Sequence, residues 1–155
     1  MQVKFKKLIE EAEMPKKATD GSGAYDIKCT AVYYVQTGTP KLNAPTSKPV
    51  SSYLECRTGL AIQIPKGYVG LTFPRSSISD TGHIMCNGVG VIDSDYRGEL
   101  ISRFYNLSQS RCREYEKGDR VVQLMIIPVP DVEFIETKEL DKTERGEGGY
   151  GSTGR

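Results

Sequence analysis

Two carboxylates and an aromatic ring lie close together in the segment from 90 to 100, at Asp93, Asp95 and Tyr96. The pattern of this segment predicts an apolar extended start, a tight turn and a second strand. A carboxylate held at a turn between strands can act as a general base. The tyrosine, three residues after Asp93, can offer its ring to a flat or furanose-shaped ligand beside that base. The residue types alone leave open which of the two carboxylates is the base.

A candidate anion site precedes this segment, at Arg75, Ser76 and Ser77. These residues follow an apolar, strand-like stretch and are expected to open a short helical turn. Free backbone N–H groups and side-chain donors converge at such a position and can bind a phosphate. The simpler alternative is that Ser76 or Ser77 only caps the turn.

Two polar residues, Arg120 and Gln123, interrupt the otherwise apolar run from 120 to 129. Burying either side chain is costly unless it is paired. We therefore expect an ion pair of Arg120 in the core, with Asp119 or Asp26 as its partner. Asp26 follows a glycine-containing turn, and a salt bridge is also the ordinary role for an acid in that position.

From about residue 141 onward the chain loses its apolar residues and becomes rich in glycine, which predicts a mobile C-terminal arm. Gly146, Gly148 and Gly151 have the spacing of a dinucleotide fingerprint, but that motif needs a preceding strand and a following helix. Arg145 could instead bind phosphate, while the glycines free backbone N–H groups that can surround an oxyanion. Tyr150 adds a ring that could stack on a base. The open alternative is a terminal segment without a role.

The composition sets limits on partners and location. A chain of 155 residues fits one domain, or one domain with an appended arm. The net charge of +1 provides no field that would attract nucleic acid or an anionic membrane, and no apolar run is long enough to span a bilayer. We therefore expect no nucleic-acid or membrane partner, and a cytoplasmic location, in the host cell if the source is a phage or virus. Free thiols are expected at Cys29, Cys56, Cys86 and Cys112.

The single histidine, His83, has no partner at a recognised metal-ligand spacing. It lies in a predicted loop just before the segment with the two carboxylates. We predict an incidental surface residue at this position.

The elements that must position these groups are strands, because the hydrophobic period is mostly two. Strands are predicted at 60–64, 68–73, 99–106 and 120–129, the last suited to a central position with both faces buried. A turn at Pro65, Lys66 and Gly67 predicts that the strand at 68–73 is the returning strand of the one at 60–64. Helix is indicated only at 76–80 and 8–13, and residues 37–52 are predicted to form an exposed loop. Short strands at this spacing with glycine and proline turns predict an all-β sandwich, barrel or jelly roll.

Five segments of the chain, taken in order, resemble the five motifs of the trimeric dUTPase family, the dUTP pyrophosphatases. The segments are residues 23–27, 74–79, 87–99, 118–124 and 145–154. Their order and spacing match those of the family, and five matches in register are a specific signature.

The resemblance implies a jelly-roll subunit and a homotrimer with three active sites at subunit interfaces. It implies hydrolysis of dUTP to dUMP and pyrophosphate with Mg²⁺, which removes dUTP and supplies dUMP for thymidylate synthesis. It also divides the chain into a β domain over 1–140, with 37–52 as a loop insertion, and an arm over 141–155 that closes over an active site.

The resemblance assigns roles by position to the residues singled out above. Asp93 orients and deprotonates the attacking water, and Tyr96 packs against the deoxyribose, where a 2′-hydroxyl would clash. Asn87 and the backbone from Gly88 to Val91 form the hairpin that contacts the uracil edge.

The remaining implied positions surround the phosphates. Asp26 and Arg120 are supporting residues near the phosphates and the metal. Mg²⁺ is expected to be held by the triphosphate and waters with no direct protein ligand, and Asp26 is a candidate for contact through water. Phosphate-binding and arm positions are Arg75, Ser76, Ser77, Gln123, Arg145, Tyr150, Gly151, Ser152 and Thr153.

The chain departs from the family pattern in three places. Ser77 stands where glycine is usual, Tyr150 stands where phenylalanine is usual, and the 37–52 loop is longer than in a minimal member. Two alternative functions stay open at this point. One is a dCTP deaminase of the same fold, and the other is a non-catalytic regulatory protein built on this scaffold.

Overall fold

The computed structural model describes residues 1–37, 51–107, 113–150 and 152. The elements are, in chain order, β1 (Lys4–Lys7), β2 (Tyr25–Lys28), β3 (Ala31–Thr37), β4 (Ser51–Arg57), β5 (Leu60–Gln63), β6 (Tyr68–Pro74), a 3₁₀ helix (Ser76–Asp80), β7 (His83–Met85), β8 (Gly90–Ile92), β9 (Ile101–Asn106) and β10 (Arg120–Pro128). The predicted all-β class is confirmed. In the described ranges, no helix is long and apolar enough to cross a membrane.

In the described part of the chain, the strands form three antiparallel sheets. One four-stranded sheet has the order β2-β10-β6-β8, the other has the order β3-β4-β9-β7, and β1 pairs with β5. A single cluster of buried side chains draws on both four-stranded sheets, for example Ile27 and Val122 from the first and Cys56 and Phe104 from the second. This is the packing of a sandwich, in which the inner faces of two sheets form the core.

The long apolar strand predicted at 120–129 is β10, and it is central in its sheet as predicted. The strand at 68–73 is also confirmed, and its turn is closed by a hydrogen bond from Tyr68 N to Pro65 O (3.1 Å). The pairing was wrong: β6 bonds to β10 and β8, whereas β5 bonds to β1. The side chain of Ile64 packs on β6 at Gly70, where an added Cβ would lie 3.0 Å from Ile64 Cδ1. The two stretches therefore stack through side chains instead of pairing through backbone.

The helix indicated at 8–13 was wrong, while the helical turn at Ser76–Asp80 is present as a 3₁₀ helix. Residues in the first stretch form bends and a turn that dock on Gly59. Leu8 N donates to Gly59 O (2.8 Å), and an added Cβ on Gly59 would lie 3.1 Å from the Cβ of buried Ala12. Tertiary contact with this glycine thus decides the local structure. Most of the predicted 37–52 loop lies outside the described residues.

His83 is not a surface residue, because its side chain is buried in β7 at 8% exposure. Its ring stacks on Tyr115 with centroids 5.5 Å apart and meets Phe104 edge-on at 6.4 Å. Burial lowers the pKa of His83, and the nearby Glu114 carboxylate opposes that shift. The free thiols at Cys29, Cys56 and Cys86 agree with expectation, and Cys112 lies outside the described residues.

Candidate active site

A cavity of about 480 Å³ opens beside the turn that follows β8. Asn87, Val91, Asp93 and Tyr96 all line it, so the structure brings the predicted base, ring and hairpin together. Asp95 is not among the described lining residues, which distinguishes the two carboxylates that the sequence left open. Gly90, within the predicted hairpin, lines it as well. Further lining residues, to which the sequence analysis gave no role in the site, are Thr72, Cys86, Ile92, Glu99, Leu100, Ile101 and Arg103.

Strands β6 and β8 approach each other closely where they line this cavity. Gly90 of β8 is the register partner of Thr72 of β6, and an added Cβ on Gly90 would lie 2.2 Å from Thr72 Oγ1. Only glycine fits there without displacement. On the other side of the hairpin, Gly88 has a φ of 64° and donates its N–H to Met85 O (3.0 Å). The backbone that faces the cavity is therefore fixed at both ends of the Asn87 turn.

The ring of Tyr96 forms one wall of the cavity and is 42% exposed. Its hydroxyl donates to the backbone carbonyl of Glu99 (2.9 Å), and its N–H donates to Asp93 O (3.2 Å). The ring lies directly over Gly98, where an added Cβ would be 2.4 Å from Tyr96 Oη. The turn itself fixes the orientation of the ring, and the glycine beneath it makes room.

A second cluster lies around Asp26 of β2. Its Oδ1 accepts from Arg75 Nε (2.7 Å) and its Oδ2 from Arg120 Nη1 (3.0 Å). The predicted partner of Arg120, Asp26, is confirmed, whereas Asp119 pairs with Arg113 (2.7 Å). The predicted core position was wrong, because the Arg120 side chain is 48% exposed. With one carboxylate between two guanidinium groups, the cluster carries a net positive charge that suits a phosphate.

The serine hydroxyls in this cluster do not cap the 3₁₀ helix. The capping position belongs to Arg75, which makes no side-chain capping bond. Arg75 Nη1 donates to Ser77 Oγ (3.3 Å), and Ser76 is exposed. Gln123 Nε2 donates to Pro74 O (3.0 Å), which places its side chain beside the start of the same turn. The hydroxyl of Ser77 thus lies next to Arg75, and Ser76 is exposed at the start of the same 3₁₀ helix.

The two clusters are well separated within one chain. Asp26 is level with Gln123 of β10 and Phe73 of β6, while Asp93 follows Ile92, which is level with Gly70. Three strand spacings across and about four residues along the sheet give a separation on the order of 20 Å. One chain alone therefore does not bring the carboxylate of Asp93 to the cluster around Asp26.

The described part of the predicted arm folds back on itself. Arg145 Nε donates to Gly148 O (3.0 Å), and Gly148 N donates to Arg145 O (3.0 Å). Tyr150 is fully exposed and Ser152 is exposed, so neither is brought to the cavity in this chain. Gly151 and Thr153 lie outside the described residues.

The segment that leads to the arm exposes large apolar side chains. Phe134 is 95% exposed and Ile135 is 79% exposed, and Val129, Val132 and Leu140 are exposed as well. The sequence analysis did not single out this run. The sequence feature that could have revealed this run is the recurrence of apolar residues between the last predicted strand and the glycine-rich stretch.

Among the described residues, no group of three or more His, Cys, Asp or Glu side chains is placed to hold a metal ion. The Asp26 carboxylate has both oxygens engaged by arginines. A cation at this cluster would therefore meet Asp26 through water, and would take its direct ligands from a bound phosphate.

Comparison with known proteins gives consistent matches over the whole chain. A family model described as dUTPase matches residues 10–154. The deoxyuridine 5′-triphosphate nucleotidohydrolase of Hydrogenobaculum sp. (strain Y04AAS1) is 39% identical over 155 residues, 99% of each chain. The protein of the same name from Paramecium bursaria Chlorella virus 1 is 38% identical over 153 residues, 96% of this chain and 95% of the viral one. A solved structure of a Staphylococcus bacteriophage 80alpha dUTPase mutant with dUpNHpp aligns with a TM-score of 0.79 and 25% identity over 99% of both chains.

Proposed function

The chain belongs to the dUTPase family and hydrolyses dUTP to dUMP and pyrophosphate, and we propose that Asp93 is the general base of this reaction. The observation that carries the assignment is that Asp93 and Tyr96 line one cavity beside the edge strand β8. A water between the carboxylate and the triphosphate loses a proton to Asp93 as it attacks a phosphorus in line with the leaving group. Breaking the bridge between the α- and β-phosphates then releases pyrophosphate.

The uracil ring binds at the hairpin of Asn87 and Gly88 and along β8 as far as Val91. Because β8 is the edge strand of its sheet, part of its backbone faces away from β6 and is open to a ligand. Uracil O4 accepts a hydrogen bond from a backbone N–H, whereas the amino group of cytosine presents a second donor there. The mismatch leaves buried polar groups unpaired and disfavours dCTP.

Sugar selection comes from Tyr96. Its ring is held over Gly98 and faces the cavity, so it packs against a deoxyribose and meets a 2′-hydroxyl sterically. A rigid ring in this position discriminates against UTP by shape, without a hydrogen bond to the sugar.

The phosphates bind at the cluster of Arg75, Arg120 and Gln123, with Ser76 and Ser77 adding hydroxyl donors and Asp26 fixing the two arginines. The separation on the order of 20 Å between this cluster and Asp93 supports a site shared between subunits. We therefore include in the proposal a homotrimer of jelly-roll subunits, in which one chain supplies Asp93 and Tyr96 and its neighbour supplies the arginines.

The apolar run before the arm supports the same arrangement. Side chains as exposed as Phe134 and Ile135 are unusual in a lone subunit and are typical of surfaces that another chain covers. In the proposal, the β domain of 1–140 ends in this run, which packs on a neighbour. The arm of 141–155 then brings Arg145, Tyr150, Gly151, Ser152 and Thr153 over a bound nucleotide and excludes bulk water.

In the proposal, Mg²⁺ would be held by oxygens of the triphosphate and by waters. The satisfied carboxylate of Asp26 fits a water-mediated contact with such an ion. When bound, the ion supplies positive charge that offsets the charge developing on the phosphates. The residues of the chain hold the phosphates, orient the base and the sugar, and accept the proton at Asp93.

The test of the base is pyrophosphate release from dUTP, dCTP, dTTP and UTP by the intact chain, with and without Mg²⁺. Asp93→Asn should lower dUTP turnover by about 100- to 10,000-fold, and Asp95→Asn is the matched control that should retain it. Equal losses in both variants would refute the assignment of Asp93. Ammonia release from dCTP would instead indicate the deaminase.

The shared site is tested by mixing subunits. Asp93→Asn and Arg75→Gln chains, each with little activity alone, are refolded together in equal amounts. Random mixing in a trimer should restore roughly a quarter of the sites, because some interfaces then pair an intact base with an intact arginine. A site contained within one chain would recover no activity on mixing.

A further inference from the structure

The hydroxyl of Tyr96 is bonded to a backbone group that is itself firmly held. It donates to the carbonyl of Glu99 (2.9 Å) across the small Gly98. The next residue, Leu100, donates its N–H to Leu60 O (2.8 Å) and accepts at its carbonyl from Thr58 Oγ1 (2.7 Å). The carbonyl that receives the tyrosine hydroxyl therefore belongs to backbone that is anchored to the turn between β4 and β5.

The Glu99 side chain strengthens this anchor. Its Oε2 accepts from Arg57 Nη1 (3.0 Å) and its Oε1 from Gly59 N (2.8 Å), so both carboxylate oxygens are directed to the same turn. Arg57 in turn donates through Nε to Glu55 Oε1 (2.8 Å), a carboxylate whose side chain is only 7% exposed. Charge-assisted hydrogen bonds thus connect the Glu99 side chain through Arg57 to the buried Glu55 carboxylate of β4. The ring of Tyr96 joins this set through a neutral hydrogen bond to the backbone carbonyl of the same Glu99.

We propose that Glu99 and Arg57 are positioning residues for sugar selection, acting through the orientation of Tyr96. The inference rests on the proposed function, in which the Tyr96 ring contacts the deoxyribose. The Tyr96 ring can reject a 2′-hydroxyl by shape only if its position is fixed. A partly exposed tyrosine without its hydroxyl partner has other rotamers available to it, and a ring that swings outward makes room for the larger sugar.

This mechanism separates discrimination from turnover. Although Glu99 lines the cavity, both of its carboxylate oxygens accept hydrogen bonds from Arg57 and Gly59, and the proposal gives neither Glu99 nor Arg57 a part in activating water or binding phosphate. Loosening the ring should therefore raise kcat/KM for UTP and raise KM for dUTP, with a smaller effect on kcat for dUTP. The measured quantity is the ratio of kcat/KM for dUTP to kcat/KM for UTP.

The test compares Tyr96→Phe, Glu99→Gln, Arg57→Met and the Glu99→Gln/Arg57→Met double variant with the unmodified chain. Each should lower the dUTP/UTP ratio about tenfold, the order expected for loss of one charge-assisted or tethering hydrogen bond. The double variant should resemble either of its single variants, because both act on one contact. Glu11→Gln is the matched control, since it removes one exposed carboxylate with the same isosteric change and should leave the ratio unchanged.

Tyr96→Ala separates this inference from the proposed function. If removing the ring leaves the ratio unchanged, the sugar-selecting role of Tyr96 is wrong. If Tyr96→Ala lowers the ratio while Tyr96→Phe, Glu99→Gln and Arg57→Met keep it, the ring is held by packing alone and the inference is overturned. Should Glu99→Gln fail to fold in a thermal melt, Tyr96→Phe and Arg57→Met decide the matter, because Arg57 is 42% exposed and Tyr96 lies at the surface of the cavity.

Discussion

Replacing Gly90 with alanine should weaken the fold through a single contact. The added methyl would lie 2.2 Å from Thr72 Oγ1, more than an ångström closer than ordinary van der Waals contact. Thr72 is buried and β-branched, so its hydroxyl has little freedom to move. The remaining neighbours, Asn87 Nδ2 at 3.4 Å and Met85 Cε at 3.5 Å, are at ordinary distances. The strain is therefore confined to the Gly90–Thr72 pair.

The expected cost follows from the way the strands are joined. β8 pairs with β6 over only three register partners, so relief by moving β8 outward would weaken most of that pairing. Overpacking of this kind costs about 1–3 kcal/mol in the free energy of unfolding. For a chain of this size that corresponds to a fall in Tm of about 2–12 °C.

Thermal and urea unfolding at one fixed protein concentration measure the effect. Gly21→Ala is the matched control, because an added Cβ there meets nothing within 4 Å and the residue has no positive φ. Thr72→Ala removes the hydroxyl that the added methyl would meet. Adding Gly90→Ala to Thr72→Ala should therefore lower the free energy of unfolding much less than Gly90→Ala lowers it in the unmodified chain. Equal stability of the Gly90 and Gly21 variants, or no recovery in the double variant, would refute the reasoning.

Three further predictions follow from other contacts. Asp26→Asn leaves two arginines without their shared carboxylate and should lower the free energy of unfolding by about 1–2 kcal/mol, measured in urea, with Glu13→Gln as the surface control. Burial lowers the pKa of His83, so the folded state binds a proton less readily than the unfolded state. The contribution of His83 to stability should be full above the pKa of the unfolded state, about 6.5, and should be lost progressively as the pH falls from there through the lower pKa of the folded state. Thermal melts between pH 8 and 5 should show that dependence diminished in His83→Gln, and an unchanged pH profile would contradict it. Deleting residues 145–155 should leave the unfolding transition in place while dUTP turnover becomes very low, and undiminished turnover would exclude a role for the arm.

The strands were predictable because their signal is local. A period of two with glycine and proline turns marks β6 and β10 in the sequence, and the lysine–glycine–aspartate turn before β10 needs no tertiary information. The partner of a strand is not local information. The turn after Pro65 predicted a returning strand paired with β5. In the structure the Ile64 side chain packs against Gly70 of β6, and β5 forms its backbone hydrogen bonds with β1.

One ion pair of the site was predictable in its partners but not in its burial. A polar residue in an apolar strand calls for a charged partner, and Asp26 was one of two candidates named for Arg120. The Arg120 side chain is nevertheless 48% exposed, so the pair lies across the neighbouring strands β2 and β10 and not in the core. His83 carried no such constraint, since an isolated histidine fits a surface loop or an aromatic cluster equally well. The contact of its ring with Tyr115 joins β7 to a residue far along the chain, which no local pattern encodes. Glu99 was overlooked for the same reason, because its partners Arg57 and Gly59 are 42 and 40 positions away along the chain.

In the proposed mechanism, hydrolysis depends on contact between subunits, whereas selection of the sugar depends on contacts within one subunit. In that mechanism the proposed base, Asp93, and the proposed phosphate-binding cluster lie far apart in one chain, so we expect turnover to need two chains in contact. The hydrogen bonds proposed to hold Tyr96 can form within one chain: its hydroxyl donates to the Glu99 carbonyl, and the Glu99 carboxylate accepts from Arg57. A change that weakens subunit contact should therefore reduce hydrolysis of dUTP and UTP together, leaving their ratio intact. A change at Glu99 or Arg57 should shift the ratio without dissociating the subunits, so selection of the sugar and assembly of the site can be altered independently.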